Sequence, residues 1–187
     1  GVGKAVLISL IKKFKKNTIY IFNRNLKKLE KYIRNIPFKN FKILKKYNEL
    51  NDLKNINLVV NSTSIGFDCW FNENKNFYNL KYFSPLSDVH KIHYIKSPNE
   101  KKFISKNKFL IKDNILNTYR FFKKNNKALV FDVIYNPDKT IIQKISNLFH
   151  NKIFNGTQMN LEQAVIAFAK VNKIRNYKKI KNLMLEG

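Results

Sequence analysis

The residues of this chain that could do chemistry stand at the ends of short apolar runs. The run Thr18-Ile19-Tyr20-Ile21-Phe22 stops at Asn23-Arg24-Asn25, with Lys27 and Lys28 just beyond. Upstream, Gly1 and Gly3 flank Val2 and lead straight into an amphipathic pattern of Val6, Leu7, Leu10, Ile11 and Phe14. Small residues at a helix start let backbone N–H groups approach a pyrophosphate, helped by the positive end of the helix dipole. About 20 residues further on, a dinucleotide-binding unit reads the adenosine ribose. A carboxylate there accepts from the ribose hydroxyls, whereas an arginine clamps a 2′-phosphate with charge-assisted bonds. Arg24 stands at that place, so the site is predicted to prefer NADP(H) to NAD(H). Taken singly, each signal has a plainer reading: two nearby glycines are common, and a basic turn suits any lysine-rich surface.

The elements that must position these residues follow from periodicity. Apolar spacing predicts helices over 3–16, 26–35 and 141–149, the second closed by Pro37. Leu161, Ala164, Val165, Phe168 and Val171 line one face of a further helix, and a last one covers 177–185. Runs of strand length and composition occupy 18–22, 41–44, 58–60, 128–131 and 153–154. Strands alternating with helices imply a doubly wound α/β fold around a parallel sheet. The stretch at about 68–126 has no clean period and is far longer than an ordinary loop. Within it, 82–87 and 115–122 are the candidates for local structure.

Composition bounds the rest. With 187 residues, 44% of them hydrophobic, the chain holds one core and is no disordered tail. A net charge of +25 invites a nucleic-acid reading. Yet the lysines are dispersed in pairs, among abundant Asn, Ile, Phe and Tyr and scarce Gly and Pro, as an AT-biased coding sequence would leave them. We therefore expect no nucleic-acid partner; a basic binding module without catalysis is the alternative of another class. One cysteine, Cys69, excludes an internal disulfide and fits a reducing compartment. No apolar run is long enough to cross a membrane and no secretory signal pattern is present, so a cytoplasmic protein is expected. His90 and His93 are separated by two residues, but no carboxylate or thiol completes a metal set at suitable spacing, and no metal is expected. The chain opens on Gly1 and not Met, from which we expect a piece of a longer protein; a homodimer stays open.

Taken together, the motifs resemble one family along nearly the whole chain. Gly1-Val2-Gly3-Lys4-Ala5-Val6 looks like the end of the glycine-rich loop of shikimate dehydrogenases. Asn23-Arg24-Asn25-Leu26-Lys27-Lys28 is similar to their NADP-selecting Asn-Arg-Thr-x-x-Arg/Lys motif, with Asn25 in place of threonine. Asn61-Ser62-Thr63-Ser64-Ile65-Gly66 is similar to their Asn-Ala-Thr-Ser-x-Gly segment, which lies near the nicotinamide. Phe131-Asp132-Val133-Ile134-Tyr135-Asn136-Pro137, then Thr140, resembles their Tyr-Asp-x-x-Tyr-x-Pro strand end. Gly156-Thr157-Gln158-Met159 with Gln163 resembles their Gly-x-Gly-Met-x-x-x-Gln helix start, with Gln158 replacing the second glycine.

The resemblance implies NADPH-dependent, reversible reduction of 3-dehydroshikimate to shikimate in aromatic amino-acid (chorismate) biosynthesis. It implies a cofactor held by Gly1, Val2, Gly3, Asn23, Arg24, Asn25, Lys28, Asn61, Ser62, Thr63, Ser64, Val133, Gly156 and Met159. It places Tyr135 and Gln163 on the substrate. The family's catalytic lysine and aspartate belong to a substrate domain that precedes the glycine loop, so no catalytic residue is expected here, and the chain by itself is expected to be inactive. Residues 1–187 are thus read as the NADP-binding domain without its first strand, with an insertion at about 68–126 and C-terminal helices at about 158–187. Quinate/shikimate dehydrogenase and other NADP-binding enzymes such as glutamyl-tRNA reductase are the nearest rivals.

Overall fold

The computed structural model describes residues 2–34, 36–37 and 40–186. Gly1, one of the expected cofactor residues, lies outside them. The chain begins with helix α1 (Val2–Lys13), strand β1 (Ile19–Phe22), helix α2 (Leu26–Ile33) and strand β2 (Phe41–Leu44). The first two helices stop two to three residues short of their sequence limits, as fraying ends commonly do. β1 and β2 pair in parallel, Ile19 opposite Phe41 and Phe22 opposite Leu44. Leu7 and Ile11 of α1 and Leu29 and Ile33 of α2 bury together against them, with spacings of four on both helices.

After β2 come helix α3 (Tyr47–Asp52) and strand β3 (Leu58–Asn61). α3 was not expected. Its start is fixed by Glu49, whose Oε1 accepts from the backbone N–H groups of Lys45 and Lys46 at 3.1 and 2.9 Å. β3 pairs in parallel with β6 (Leu129–Asp132), which pairs in parallel with the two-residue β7 (Ile153–Phe154). The order in that sheet is β3-β6-β7. Helix α5 (Ile141–Asn147) connects its last two strands, and α6 (Gly156–Val171) and α7 (Tyr177–Glu186) close the chain, packed on each other through Val165, Ala169 and Ile180. Among the described residues β1–β2 and β3-β6-β7 form two parallel pieces, each strand but one leading into a helix. The expected Rossmann-like α/β architecture is the one observed.

The stretch at 68–126 is neither a loop nor formless. It contains an antiparallel hairpin, β4 (Trp70–Glu73) with β5 (Asn76–Asn79), and the 25-residue helix α4 (Glu100–Lys124), the longest element of the chain. Leu80, Phe83, Val89, Ile95 and Phe103 form a core of their own under the hairpin. The far end of α4 joins the main core, where Phe121 and Phe122 pack with Val59, Val130, Ile142 and Ile145. One helix therefore belongs to both cores, which fixes this stretch on the sheet.

Three asparagines secure that arrangement. Asn114 of α4 is buried; its Oδ1 accepts from Ser84 N–H at 2.7 Å while its Nδ2 donates to Ser84 O at 3.0 Å. Asn107 treats His93 the same way, at 2.8 and 2.9 Å. Asn125, just past the helix, accepts from Ile56 N–H and donates to Leu53 O. Each amide matches the donor and acceptor of passing main chain, satisfying groups that burial would otherwise leave costly.

Candidate functional site

Three of the expected segments converge at strand ends. Gly3 stands in the first turn of α1, and a Cβ there would come 3.0 Å from Ser62 Oγ. The start of α1 thus touches the turn that follows β3. Gly156 opens α6 beneath the end of β6: its N–H donates to Ile134 O at 3.1 Å, and a Cβ would lie 2.0 Å from the Val133 carbonyl oxygen. No side chain fits there, so the glycine is required by the crossing of two backbones. Val133 itself donates its N–H to Asn61 O at 3.0 Å, which joins the ends of β3 and β6.

Beneath these turns lies a buried polar hub. Asp132, fully buried, accepts from Asn61 Nδ2 at 2.9 Å, Thr140 Oγ1 at 2.6 Å, Gln143 Nε2 at 3.3 Å and Ile134 N–H at 3.1 Å. Loss of water on burial outweighs these four donors and raises its pKa above the ordinary carboxylate value. Asn61 was expected to touch a cofactor, and its side chain does something else. Its Nδ2 also donates to Ile65 O at 3.0 Å, and its Oδ1 accepts from the N–H and hydroxyl of Thr63 at 3.0 and 2.8 Å. Both donors and both lone pairs are used within the protein. Asn61 is a positioning residue that shapes the Ser62–Thr63–Ser64 turn, leaving Thr63 and Ser64 exposed at its crest. The turn ends on Gly66, at φ +109°, with its N–H donated to Leu80 O.

Arg24 and Lys28 are both exposed at the end of β1 and the start of α2. Among the described residues neither forms an ion pair, so both cations are open to an anion. The flanking asparagines work locally: Asn25 caps α2 by accepting from Lys28 N–H at 2.9 Å, and Asn23 accepts from Asn25 N–H at 2.8 Å. They hold Arg24 at the apex of the turn. Of the two residues expected on the substrate, Tyr135 is 52% exposed, with its ring 6.1 Å edge-on from Phe67, and Gln163 is exposed on α6. Met159 is half-buried.

Two residues of the hub, Thr140 and Gln143, were not among the expected site residues. The signal was present as Thr-Ile-Ile-Gln, a capping pattern at the start of α5, with Thr140 accepting from Gln143 N–H. The 68–126 stretch also reaches the site. Asp68 N–H donates to Asn136 O at 3.0 Å, and its carboxylate meets Lys81, which bridges to Glu100. Among the described residues no cluster of metal-ligating side chains occurs, and no helix is long and apolar enough to cross a membrane.

Comparison with solved structures brings out one with this arrangement: a chorismate mutase/shikimate 5-dehydrogenase fusion protein from Clostridium acetobutylicum. It aligns over the whole of this chain with a TM-score of 0.57 and 22% identity. The chain has that protein's fold. It spans about half of that protein, 51% of its length. Among curated proteins, a segment of 111 residues, 55% of this chain, is 28% identical to "Putative cysteine desulfurase PbSufS" of Plasmodium berghei, of which it covers 20%. No family profile matches the chain. The likeness to the fusion protein agrees with the Rossmann-like order of elements.

Proposed function

We propose that this chain is the NADP(H)-binding part of a shikimate dehydrogenase, an oxidoreductase interconverting 3-dehydroshikimate and shikimate. The observation that carries the reading is the convergence at Gly156: a helix start pressed so closely on the end of β6 that only glycine fits, beside Val133 and Tyr135. In open α/β sheets, ligands bind at the carboxyl ends of the strands, where these turns lie. The residues fit the cofactor. The start of α1 at Gly3, against Ser62, offers backbone N–H groups to the pyrophosphate. Arg24, with Lys28 beside it, offers cations that are unpaired among the described residues to the 2′-phosphate. Val133, Gly156 and Met159 bound the nicotinamide end. NADPH, when bound, supplies the hydride.

The chain's own residues bind and orient. Tyr135 and Gln163, exposed and uncharged, suit the hydroxyls and carboxylate of a polyhydroxylated ring. Asp132 is no general base, because it is fully buried and its oxygens are occupied by four donors. It fixes the geometry of the turns instead, so the reading assigns no proton donor among these residues.

The test is titration of the chain with NADPH and NADH, and NADP+ reduction by shikimate and by quinate for the protein that carries it. Tighter binding of NADPH, and turnover with shikimate in preference to quinate, are expected. A chain that binds neither nucleotide would sink the reading.

A further inference from the structure

The insertion folds back onto the open end of β1–β2. His90 packs edge-on against Tyr47, the first residue of α3, with ring centres 6.2 Å apart. Tyr47 in turn lies 4.3 Å from the ring of Phe22, the last residue of β1 and two residues before Arg24. Asp88 accepts from His90 N–H at 2.8 Å and stands 4.0 Å from His90 Nε2. The stretch is anchored, since Asn107 of α4 holds the main chain of His93 from both sides. Tyr94 donates to Glu73 of the hairpin at 3.2 Å. Burial, and next the nearby Asp88, push the Tyr47 hydroxyl up to about 12, with Arg24 pulling the other way. This stretch, bearing an imidazole and a carboxylate, therefore packs beside the strand end that leads to Arg24.

We propose that residues 88–94 form the second wall of the subsite for the cofactor's adenosine end, where His90 joins Arg24 in reading the ribose phosphate and Asp88 opposes it. The inference rests on the NADP(H) reading and adds the part played by the insertion. An imidazole on the neighbouring stretch gives a phosphate held by Arg24 a second donor. The Asp88 carboxylate repels a phosphate but can accept from a plain ribose hydroxyl, so the two residues push selectivity in opposite directions.

Equilibrium binding of 2′,5′-ADP and 5′-AMP isolates this end of the cofactor. His90→Ala should weaken 2′,5′-ADP about tenfold, the scale of one charge-assisted hydrogen bond, and change 5′-AMP by less than about twofold. Asp88→Asn, which keeps the acceptor for His90 N–H, should tighten 2′,5′-ADP about threefold, as relief of an exposed like-charge contact does. Both side chains are about half exposed, and unchanged melting curves would exclude a folding defect. If the parent chain discriminates between the two ligands but neither variant alters that discrimination, the insertion has no part in it and the proposal falls while the cofactor reading stands. Equal weakening of both ligands by His90→Ala would make the imidazole a packing surface for the base and overturn its assigned role. Binding of neither ligand by the parent chain would overturn the cofactor reading itself, and this inference with it.

Discussion

Asn61 and Asp132 end neighbouring parallel strands in register, and the amide of the first donates to the buried carboxylate of the second at 2.9 Å. This one bond ties the turn after β3 to the turn after β6, the two places where the proposed cofactor would meet the sheet. Asn61→Ala removes that donor, strands Ile65 O, and leaves the Thr63 N–H without its acceptor. Net hydrogen bonds of ~1 kcal/mol each, plus an under-satisfied buried carboxylate, give an expected loss of about 3 kcal/mol in urea unfolding. Ser64→Ala, at the exposed crest of the same turn, should stay within about 0.5 kcal/mol of the parent. Equal effects at the two positions would show that the hub does not hold the turn.

The hub also makes stability depend on pH, with a definite sign. Burial raises the pKa of Asp132 in the folded chain. A group raised on folding contributes stability that is fully present below the unfolded value, about 3.9, and lost as pH rises through the folded value. Asp132→Asn does not titrate. The stability of the parent relative to this variant should therefore fall as pH rises from about 4 toward neutrality. Urea midpoints of both proteins across that range measure it; a difference that grows with pH would mean the four donors outweigh burial.

Gly156 and Gly3 both make close approaches, but against different neighbours. A Cβ at residue 156 meets a backbone carbonyl at 2.0 Å, whereas at residue 3 it meets the hydroxyl of Ser62 at 3.0 Å. A serine side chain can rotate aside and a strand cannot. Gly156→Ala should cost about 2–3 kcal/mol or more, the upper part of the range for overpacking, and Gly3→Ala under about 1 kcal/mol. Thermal denaturation of the two variants checks the order, and a reversed order would contradict the close crossing of α6 and β6.

Arg24 is exposed and unpaired among the described residues, so replacing it reports on ligand binding and not on folding. Arg24→Asp should weaken NADPH binding by about 1–3 kcal/mol, the range for a charge-assisted hydrogen bond lost, and leave NADH binding nearly unchanged. Fluorescence titrations with both nucleotides provide the comparison. Comparable losses would show that Arg24 does not read the 2′-phosphate.

How much of this was legible in the sequence depends on where each residue's partners lie. The helices at α1, α2, α5, α6 and α7 and the strands at β1, β2, β3, β6 and β7 were readable because local apolar spacing decides them. So was the basic turn at Arg24, where Asn23 and Asn25 act on main chain no more than three residues away. α4 was not, although it is the longest element. Its buried face carries Asn107, Asn114 and Thr118 among its phenylalanines, and polar residues on the inner face erase the hydrophobic period. Those asparagines can be buried because Ser84 and His93 present main chain to them, partners 14 to 30 residues away. The same holds at the site. Sequence alone determined which residue types stand at the strand ends. Only the tertiary structure decided that Asn61 is spent inside the protein, that Gly156 admits no side chain, and that His90 comes to rest on Tyr47. Each of these depends on backbones or side chains far apart in the chain, brought together by packing that no local pattern encodes.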